Sequence, residues 1–367
     1  MKKRFIISGG GTGGHIFPAI AIANRLKKTI PDAEILFIGA EDKMEMERVP
    51  EAGYPIVGLK IYGISRDFSP KGISRNLRLP VALLKCASKV KEVIREFNPD
   101  VVIGVGGFAS GPALRTAIKM KIPTLIQEQN SFPGITNKLL GKKVDKICVA
   151  YQGLEKFFPR KKLVLTGNPV RDIILNINDK NDRAYLLFGL QKDKKTILVV
   201  GGSLGARTIN EAIAKGLDEL EKLDIQLIWQ TGETYYRNIS PDILSRQNER
   251  IRIMPFIKEM DQAYAVADII ISRAGAIAIS ELTIVGKPTI LVPFPYAAED
   301  HQTKNAMALV ERNAARLIPD NDAAELLIPQ LTELILHESE AGMLAQNIKK
   351  MAQPNALDKI IEEINNL

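Results

Sequence analysis

The 367-residue chain is short of cysteine, histidine, aromatic residues and long apolar runs, and each shortage removes a class of function. Cys86 and Cys148 are the only cysteines, with no metal-ligand spacing; they read as buried thiols in a reducing compartment. The three histidines, His15, His301 and His337, assemble no metal motif, so neither a metal nor a cofactor is expected. Aromatics are 6% of the chain and no base-recognition motif occurs, so nucleic acid is not an expected partner. Only three apolar residues, Phe5, Ile6 and Ile7, lie between the basic N-terminus and the first glycines, against about seven apolar residues in a secretory signal. The most apolar stretch, Ala265 to Val285, is interrupted by Asp268, Arg273 and Glu281. Nothing approaches the roughly twenty apolar residues of a transmembrane helix. The expectation is a soluble or peripheral protein.

What is present is an ordinary globular composition, 46% apolar and 25% charged, long enough for about two domains of roughly 150 residues. The net charge of +8 is unevenly spread. Residues 1–175 hold 29 Lys and Arg against 15 Asp and Glu, and the remainder holds 21 against 27. A basic half joined to an acidic half points to an anionic partner for the first half alone. An anionic membrane surface suits this composition better than nucleic acid. Ile73, Leu77, Leu79, Val81 and Leu84 interleave with Lys71, Arg75, Arg78 and Lys85. Pro80 argues against one continuous helix there, so we expect a loop entering a helix. Its apolar residues would insert while the basic ones meet headgroups; the plainer alternative packs them under the loop.

Short β-branched runs alternate with helical segments throughout, the pattern of an α/β fold with parallel sheets. Expected strands in the first half are Arg4–Ser8, Glu34–Gly39, Val101–Val105, Thr124–Gln127 and Lys146–Val149. Between them the pattern places helices over Pro18–Lys28, Pro80–Phe97 and Gly111–Met120. The series restarts at Lys195–Val200 and continues through Ile225–Gln230, Ile251–Met254, Asp268–Ser272 and Thr289–Val292. The expected organisation is a Rossmann-like domain over 1–165, a linker over 166–183 and a second Rossmann-like domain over 184–354. A last helix, about 355–367, carries Leu357, Ile360, Ile361 and Ile364 on one face and is expected to pack back on the first domain.

Four glycine-bearing segments follow strands: Gly9–Gly14, Gly104–Gly111, Gly201–Ala206 and Ser272–Ala278. Gly9, Gly11 and Gly14 satisfy the dinucleotide fingerprint, yet the acidic residue expected about twenty positions on is missing. Glycine here serves either tight turning or an anion, whose charge suits backbone amides at a helix start. Four such segments in two half-chains suggest a ligand held from two sides, with Gly11, Gly106, Gly107 and Ser110 as candidate phosphate contacts. Polar clusters at strand ends, Gln127-Glu-Gln-Asn130 and Glu299-Asp-His-Gln302, suit a hydroxyl-rich ligand or ordinary loop capping. Asp320-Asn-Asp322 matches a metal-binding D-x-D in form, but it precedes an amphipathic segment and reads as a helix N-cap.

Taken together and in order, GGGTGGHIFPA, QEQN, GNPVR, GGSLGA, SRAGAIAISE and DHQTKNA resemble the MurG family of UDP-N-acetylglucosamine transferases. The likeness extends from Gly9 to Ala306. It implies the GT-B architecture, α/β, with two Rossmann-like domains whose parallel sheets face across a cleft. It also implies inverting transfer of GlcNAc from UDP-GlcNAc to lipid I, undecaprenyl-pyrophosphoryl-MurNAc-pentapeptide, at the cytoplasmic face of an anionic inner membrane. Carried onto this chain, the donor contacts are Thr12, Gly13, Gly14, Asn130, Arg171, Ser203, Ile257, Ala274, Gly275, Ala276, Ile277, Ala278, Glu281 and Gln302. His15 is the candidate general base. The chain departs from the family at Gln127, often histidine, at Ala274, often serine, and at His301, in places glutamine. The rivals are another GT-B lipid glycosyltransferase and a UDP-GlcNAc 2-epimerase. A dehydrogenase is disfavoured by the missing carboxylate.

Overall fold

The computed structural model describes residues 3–62, 69–177, 179–202, 204–297 and 300–367, with side chains in the helix after Pro70 from residue 83 onward. It divides into two units, Met1–Val170 with Asn355–Leu367, and Arg171–Pro354. Within the segment 166–183, Thr166–Val170 thus stays with the first unit and the remainder joins the second.

The first unit is built on β1 (Arg4–Ser8), β2 (Glu34–Ala40), β3 (Ile56–Leu59), β4 (Val101–Gly104), β5 (Thr124–Glu128), β6 (Lys146–Val149) and β7 (Leu163–Leu165). They form one sheet in the order β3-β2-β1-β4-β5-β6-β7, every pairing parallel. The second unit repeats the plan with β8 (Lys195–Val200), β9 (Ile225–Gln230), β10 (Ile251–Met254), β11 (Ile269–Ser272), β12 (Thr289–Leu291) and β13 (Arg316–Leu317). Its order is β10-β9-β8-β11-β12-β13, again all parallel. Phe5, Ile6, Ile7, Ile197, Leu198 and Val199 have no solvent exposure. Such strands need helices on both faces, which is why they read as unbroken apolar runs. In each sheet the strand order reverses beside the first strand, between β1 and β4 and between β8 and β11. Open α/β sheets bind ligands at this reversal.

The C-terminal helix Ala356–Asn365 buries Leu357, Ile360, Ile361 and Ile364 in the core of the first unit, with Ile16, Ile22 and Val101. Each such side chain is worth about 1.5–3 kcal/mol on burial. Ion pairs Arg25–Asp358 at 2.6 Å and Lys146–Glu363 at 2.8 Å flank this contact.

Three local expectations require correction. The first helix runs over Gly13–Thr29, not from Pro18. Proline's fixed φ is itself helical, and Pro18 is buried with Ile16, Ile22 and Leu26, so packing outweighs the one missing amide bond. Likewise one helix spans Pro70–Phe97 and passes through Pro80. The expected loop before Pro80 is therefore absent. Of the basic and apolar cluster, the side chains of Lys71, Ile73, Arg75, Leu77, Arg78, Leu79 and Val81 lie outside the described residues, whereas Leu84 and Lys85 are exposed. Thirdly, β3, β7 and β13 had no counterpart in the sequence reading. The last two are short, and their residues are mostly half-buried, so they show little apolar patterning.

Candidate functional site

In the first unit, Ser8 pairs with Gly104, so the turns after β1 and β4 emerge side by side. The helix Gly13–Thr29 starts directly behind the first turn, with Thr12 as its extended N-cap. That places Gly13, Gly14 and His15 in the first helical turn, where amides lack intrahelical acceptors. The His15 amide finds the Thr12 carbonyl at 3.1 Å, and its imidazole Nδ1 lies 3.2 Å from Thr12 Oγ1. The opposite edge of the half-buried ring lies over Gly106. A Cβ at that position would come within 2.7 Å of Cδ2 and 2.9 Å of Nε2, and φ there is +92°. The positive φ favours glycine at 106, and its lack of a side chain leaves room for the imidazole.

The remaining candidate phosphate contacts have internal partners. The Gly11 amide donates to both Glu45 carboxylate oxygens, at 3.2 and 3.1 Å. Ser110 is fully buried and its hydroxyl donates to the Gly107 carbonyl at 2.9 Å. The hydroxyl is a clasp within the loop rather than a group presented to a ligand. Gly107 itself remains partly exposed, and Gly106 is buried.

Three of the four polar residues ending β5 also look inward. Gln127 donates to Asn168 Oδ1 at 3.1 Å, Gln129 donates to the Val105 carbonyl at 2.9 Å and to Gln127 Oε1, and Asn168 donates to the Gln129 carbonyl at 3.0 Å. Glu128, 1% exposed, accepts from the Asn130 and Gly134 amides and the Asn130 and Asn137 side chains at 2.8–3.2 Å. Burial raises the pKa of its carboxyl, against the opposing pull of those bonds. Asn130 is the partly exposed member of this cluster.

The second unit repeats the arrangement. Ser272 pairs with Val200, so the turns after β8 and β11 are also neighbours. Helices Arg207–Lys215 and Ala276–Val285 start behind them and direct two sets of first-turn amides to this end of the sheet. Gly275 is extended, and a Cβ there would meet open space. Gly275, Ile277 and Ala278 are partly exposed and Ala276 retains 8%, whereas Ala274 has no exposure and lies beneath the loop. A side-chain contact from Ala274 to a ligand is therefore ruled out in this conformation. Ile257 is buried, at 2% exposure. Ser203 lies outside the described residues.

Glu281 sits in the helix Ala276–Val285 and is 7% exposed. Its Oε1 accepts from Arg171 Nε and Nη2 at 3.2 and 2.9 Å, and its Oε2 accepts from the Tyr264 hydroxyl at 3.3 Å. Burial pulls the Arg171 pKa down, but the Glu281 charge and hydrogen bonds outweigh it and the net shift is upward. Burial first, and then the same carboxylate, push the Tyr264 phenol well above its ordinary value, so it remains a donor. Gln302 Oε1 accepts the Phe294 amide at 2.9 Å, which ties the side chain to the segment after β12.

Sequence reasoning missed three groups. Tyr264 had no motif to mark it. Glu45, in the segment after β2, resembles an ordinary surface glutamate. Asp320 was expected as an N-cap, but it instead pairs with Arg273 and accepts from Thr208 Oγ1. Arg273 also donates to the Val292 and Pro293 carbonyls at 3.0 and 3.2 Å and to Thr208 at 3.0 Å. This buried cluster ties the turn after β11 to the helix after β8. The Asp322 N-cap position makes no side-chain cap bond. Among the described residues no group of three or more His, Cys, Asp or Glu side chains is placed to hold a metal ion.

Comparison with known proteins agrees with this double architecture. The glycosyltransferase family 28 N-terminal domain matches residues 5–149 and the family 28 C-terminal domain matches residues 196–364. The chain is 53% identical over 363 residues to a protein of Parabacteroides distasonis, covering 99% of this chain and 98% of the relative. That relative is named UDP-N-acetylglucosamine--N-acetylmuramyl-(pentapeptide) pyrophosphoryl-undecaprenol N-acetylglucosamine transferase. A Flavobacterium psychrophilum protein of the same name is 50% identical, with 99% and 97% covered. Among solved structures, MurG of Acinetobacter baumannii superposes with a TM-score of 0.78 at 30% identity, covering all of both chains. With both halves matched and half of all positions shared with full-length relatives, the chain belongs to the MurG family of GT-B glycosyltransferases.

Proposed function

We infer that the protein transfers GlcNAc from UDP-GlcNAc to the C4 hydroxyl of MurNAc in undecaprenyl-pyrophosphoryl-MurNAc-pentapeptide, converting lipid I to lipid II for peptidoglycan. The observation that carries this reading is the 53% identity, along 99% of the chain, to a relative named for that activity.

The donor is assigned chiefly to the second unit. First-turn amides after Gly205 and Gly275 meet the pyrophosphate and stabilise the charge that develops on departing UDP, a task that preorganised dipoles perform well. Glu281 accepts the ribose hydroxyls, the Ile257 backbone reads the uracil edge, and Gln302 Nε2 donates to the sugar. Arg171, Ser203, Gly275, Ala276, Ile277 and Ala278 complete this set. From the first unit we assign Thr12, Gly13, Gly14 and Asn130 to the donor and Gly107 to the acceptor phosphate.

Displacement at the sugar C1 requires the acceptor hydroxyl to lose its proton as the C1–O bond to UDP breaks. We assign that proton to His15 Nε2, with Nδ1–H donating to Thr12 Oγ1 so that Nε2 keeps its lone pair. The imidazolium then releases the proton to solvent, and C1 inverts. The protein acts at the cytoplasmic face of the cell membrane as a peripheral enzyme, its basic first half toward anionic lipid. Among the described residues no helix is long and apolar enough to cross a membrane. Incubation with UDP-GlcNAc and a lipid I analogue tests the reading. Disaccharide formation with equimolar UDP is expected; UDP-ManNAc without acceptor consumption would instead identify a 2-epimerase.

A further inference from the structure

The first glycine turn carries a dinucleotide fingerprint, and the structure shows what lies against it. Glu45, at the start of the helix Glu45–Glu51, turns its side chain back to the turn and is 1% exposed. Its carboxylate accepts the Gly11 amide with both oxygens, at 3.2 and 3.1 Å, and the Ala40 amide with Oε1 at 3.0 Å. Two glycines make room for it. A Cβ on Gly10 would collide with Oε1, and a Cβ on Gly39 would lie 2.7 Å from Cγ. In a dinucleotide site, amides of this turn face a pyrophosphate.

We propose that Glu45 is the resident anion of the first glycine turn, a positioning residue that fixes the backbone from Gly10 to Thr12 and thereby the helix start carrying His15. The turn is closed to a dinucleotide at Gly11 because a protein carboxylate already satisfies that amide. An acceptor phosphate is likewise met by Gly107 rather than by Gly11. The order of the chain supports the linkage. Thr12 follows Gly11 directly, caps the helix, and has its hydroxyl 3.2 Å from His15 Nδ1. Displacement of Gly11 therefore moves the group that orients the imidazole. The proposal deepens the reading of this site as the acceptor side of a glycosyltransferase and rests on it.

The test uses full-length wild type, Glu45→Gln and Glu45→Ala with UDP-GlcNAc and a lipid I analogue, donor and acceptor varied separately. UDP binding is measured by calorimetry, and exchange of the 9–16 amides by hydrogen–deuterium mass spectrometry. Glu45→Gln keeps the shape but sets an NH2 group against backbone amides. It should fold, bind UDP as wild type does, exchange faster over 9–16 and lose at least about tenfold in kcat, the scale of a misplaced proton acceptor. Glu45→Ala should lose more, and formate should restore several-fold activity in a saturable manner that chloride at equal ionic strength does not match. Undiminished kcat in Glu45→Gln would overturn the proposal. So would a lower acceptor KM in that variant, which would mean that Glu45 merely competes with substrate phosphate. Formate without effect on a folded Glu45→Ala protein would overturn it as well. Absence of transfer by wild type would instead defeat the functional reading, and the exchange data would still report on the turn.

Discussion

Replacing Glu281 by alanine separates the nucleotide role proposed for this carboxylate from a structural one. Both effects follow from its partners. The Arg171 side chain is 42% exposed, so it re-solvates when the carboxylate is lost, and the ion pair contributes little to stability. Tyr264 is 4% exposed, and its hydroxyl loses its acceptor. A buried unsatisfied hydroxyl costs about 1–3 kcal/mol, and the 3.3 Å separation places this one at the lower end. For a domain of this size each kcal/mol moves Tm by roughly 2–4 °C, so Tm should fall only a few degrees. The donor suffers more. A charge-assisted bond to a ribose hydroxyl is worth about 1.5–3 kcal/mol, or roughly ten- to a hundredfold in affinity. Steady-state kinetics should show the UDP-GlcNAc KM raised by that factor and kcat nearly unchanged, because the ribose is remote from the reacting carbon. Tyr264→Phe should give a smaller rise in the same direction, since it only loosens the carboxylate. An unchanged donor KM in a folded Glu281→Ala protein would refute the ribose assignment and leave Glu281 as the anchor of Arg171.

His15→Ala should lower kcat by about a hundred- to ten-thousandfold while UDP binding survives. A variant that raises only the acceptor KM would make His15 a phosphate contact, and high activity in His15→Asn would reduce it to a helix-end residue. Asp320→Asn breaks an ion pair whose side chains are 9% and 12% exposed; such a break costs about 3–5 kcal/mol, so calorimetry should show a large loss of stability with weaker UDP binding. An unchanged Tm would show the Arg273 cluster to be dispensable. Liposome sedimentation should show binding that needs anionic lipid, weakens with salt and drops in Arg75→Glu plus Arg78→Glu; binding untouched by that pair would remove the basic helix from the membrane contact.

How much of this was legible in the sequence depended on how local the cause was. The central strands β1, β4, β8 and β11 were readable because burial on both faces demands an unbroken apolar run. The glycine turns were readable because close approach leaves a residue type no side chain can replace, as at Gly106 beneath His15. Strands such as β13, two half-buried residues held only by β12, carry too little pattern to see. Pro18 and Pro80 misled for the opposite reason: a strong local signal was overridden by packing or by helix already formed on either side. The glycine turns and the helical position of Glu281 behind β11 were legible, but the groups that support them were not. Glu45, Tyr264 and Asp320 act through partners 34, 17 and 47 residues away, and no spacing in the chain encodes such pairs.

The central claim is tested most directly by the structure of the product formed from UDP-GlcNAc and a lipid I analogue. UDP-GlcNAc carries an α bond, so a single displacement with His15 as base predicts a β-1,4-linked GlcNAc–MurNAc disaccharide, identified by the coupling constant of its anomeric proton, with one UDP released per linkage. An α-linked product would contradict the single displacement, and an acceptor left unmodified while UDP-ManNAc accumulates would contradict the transfer itself.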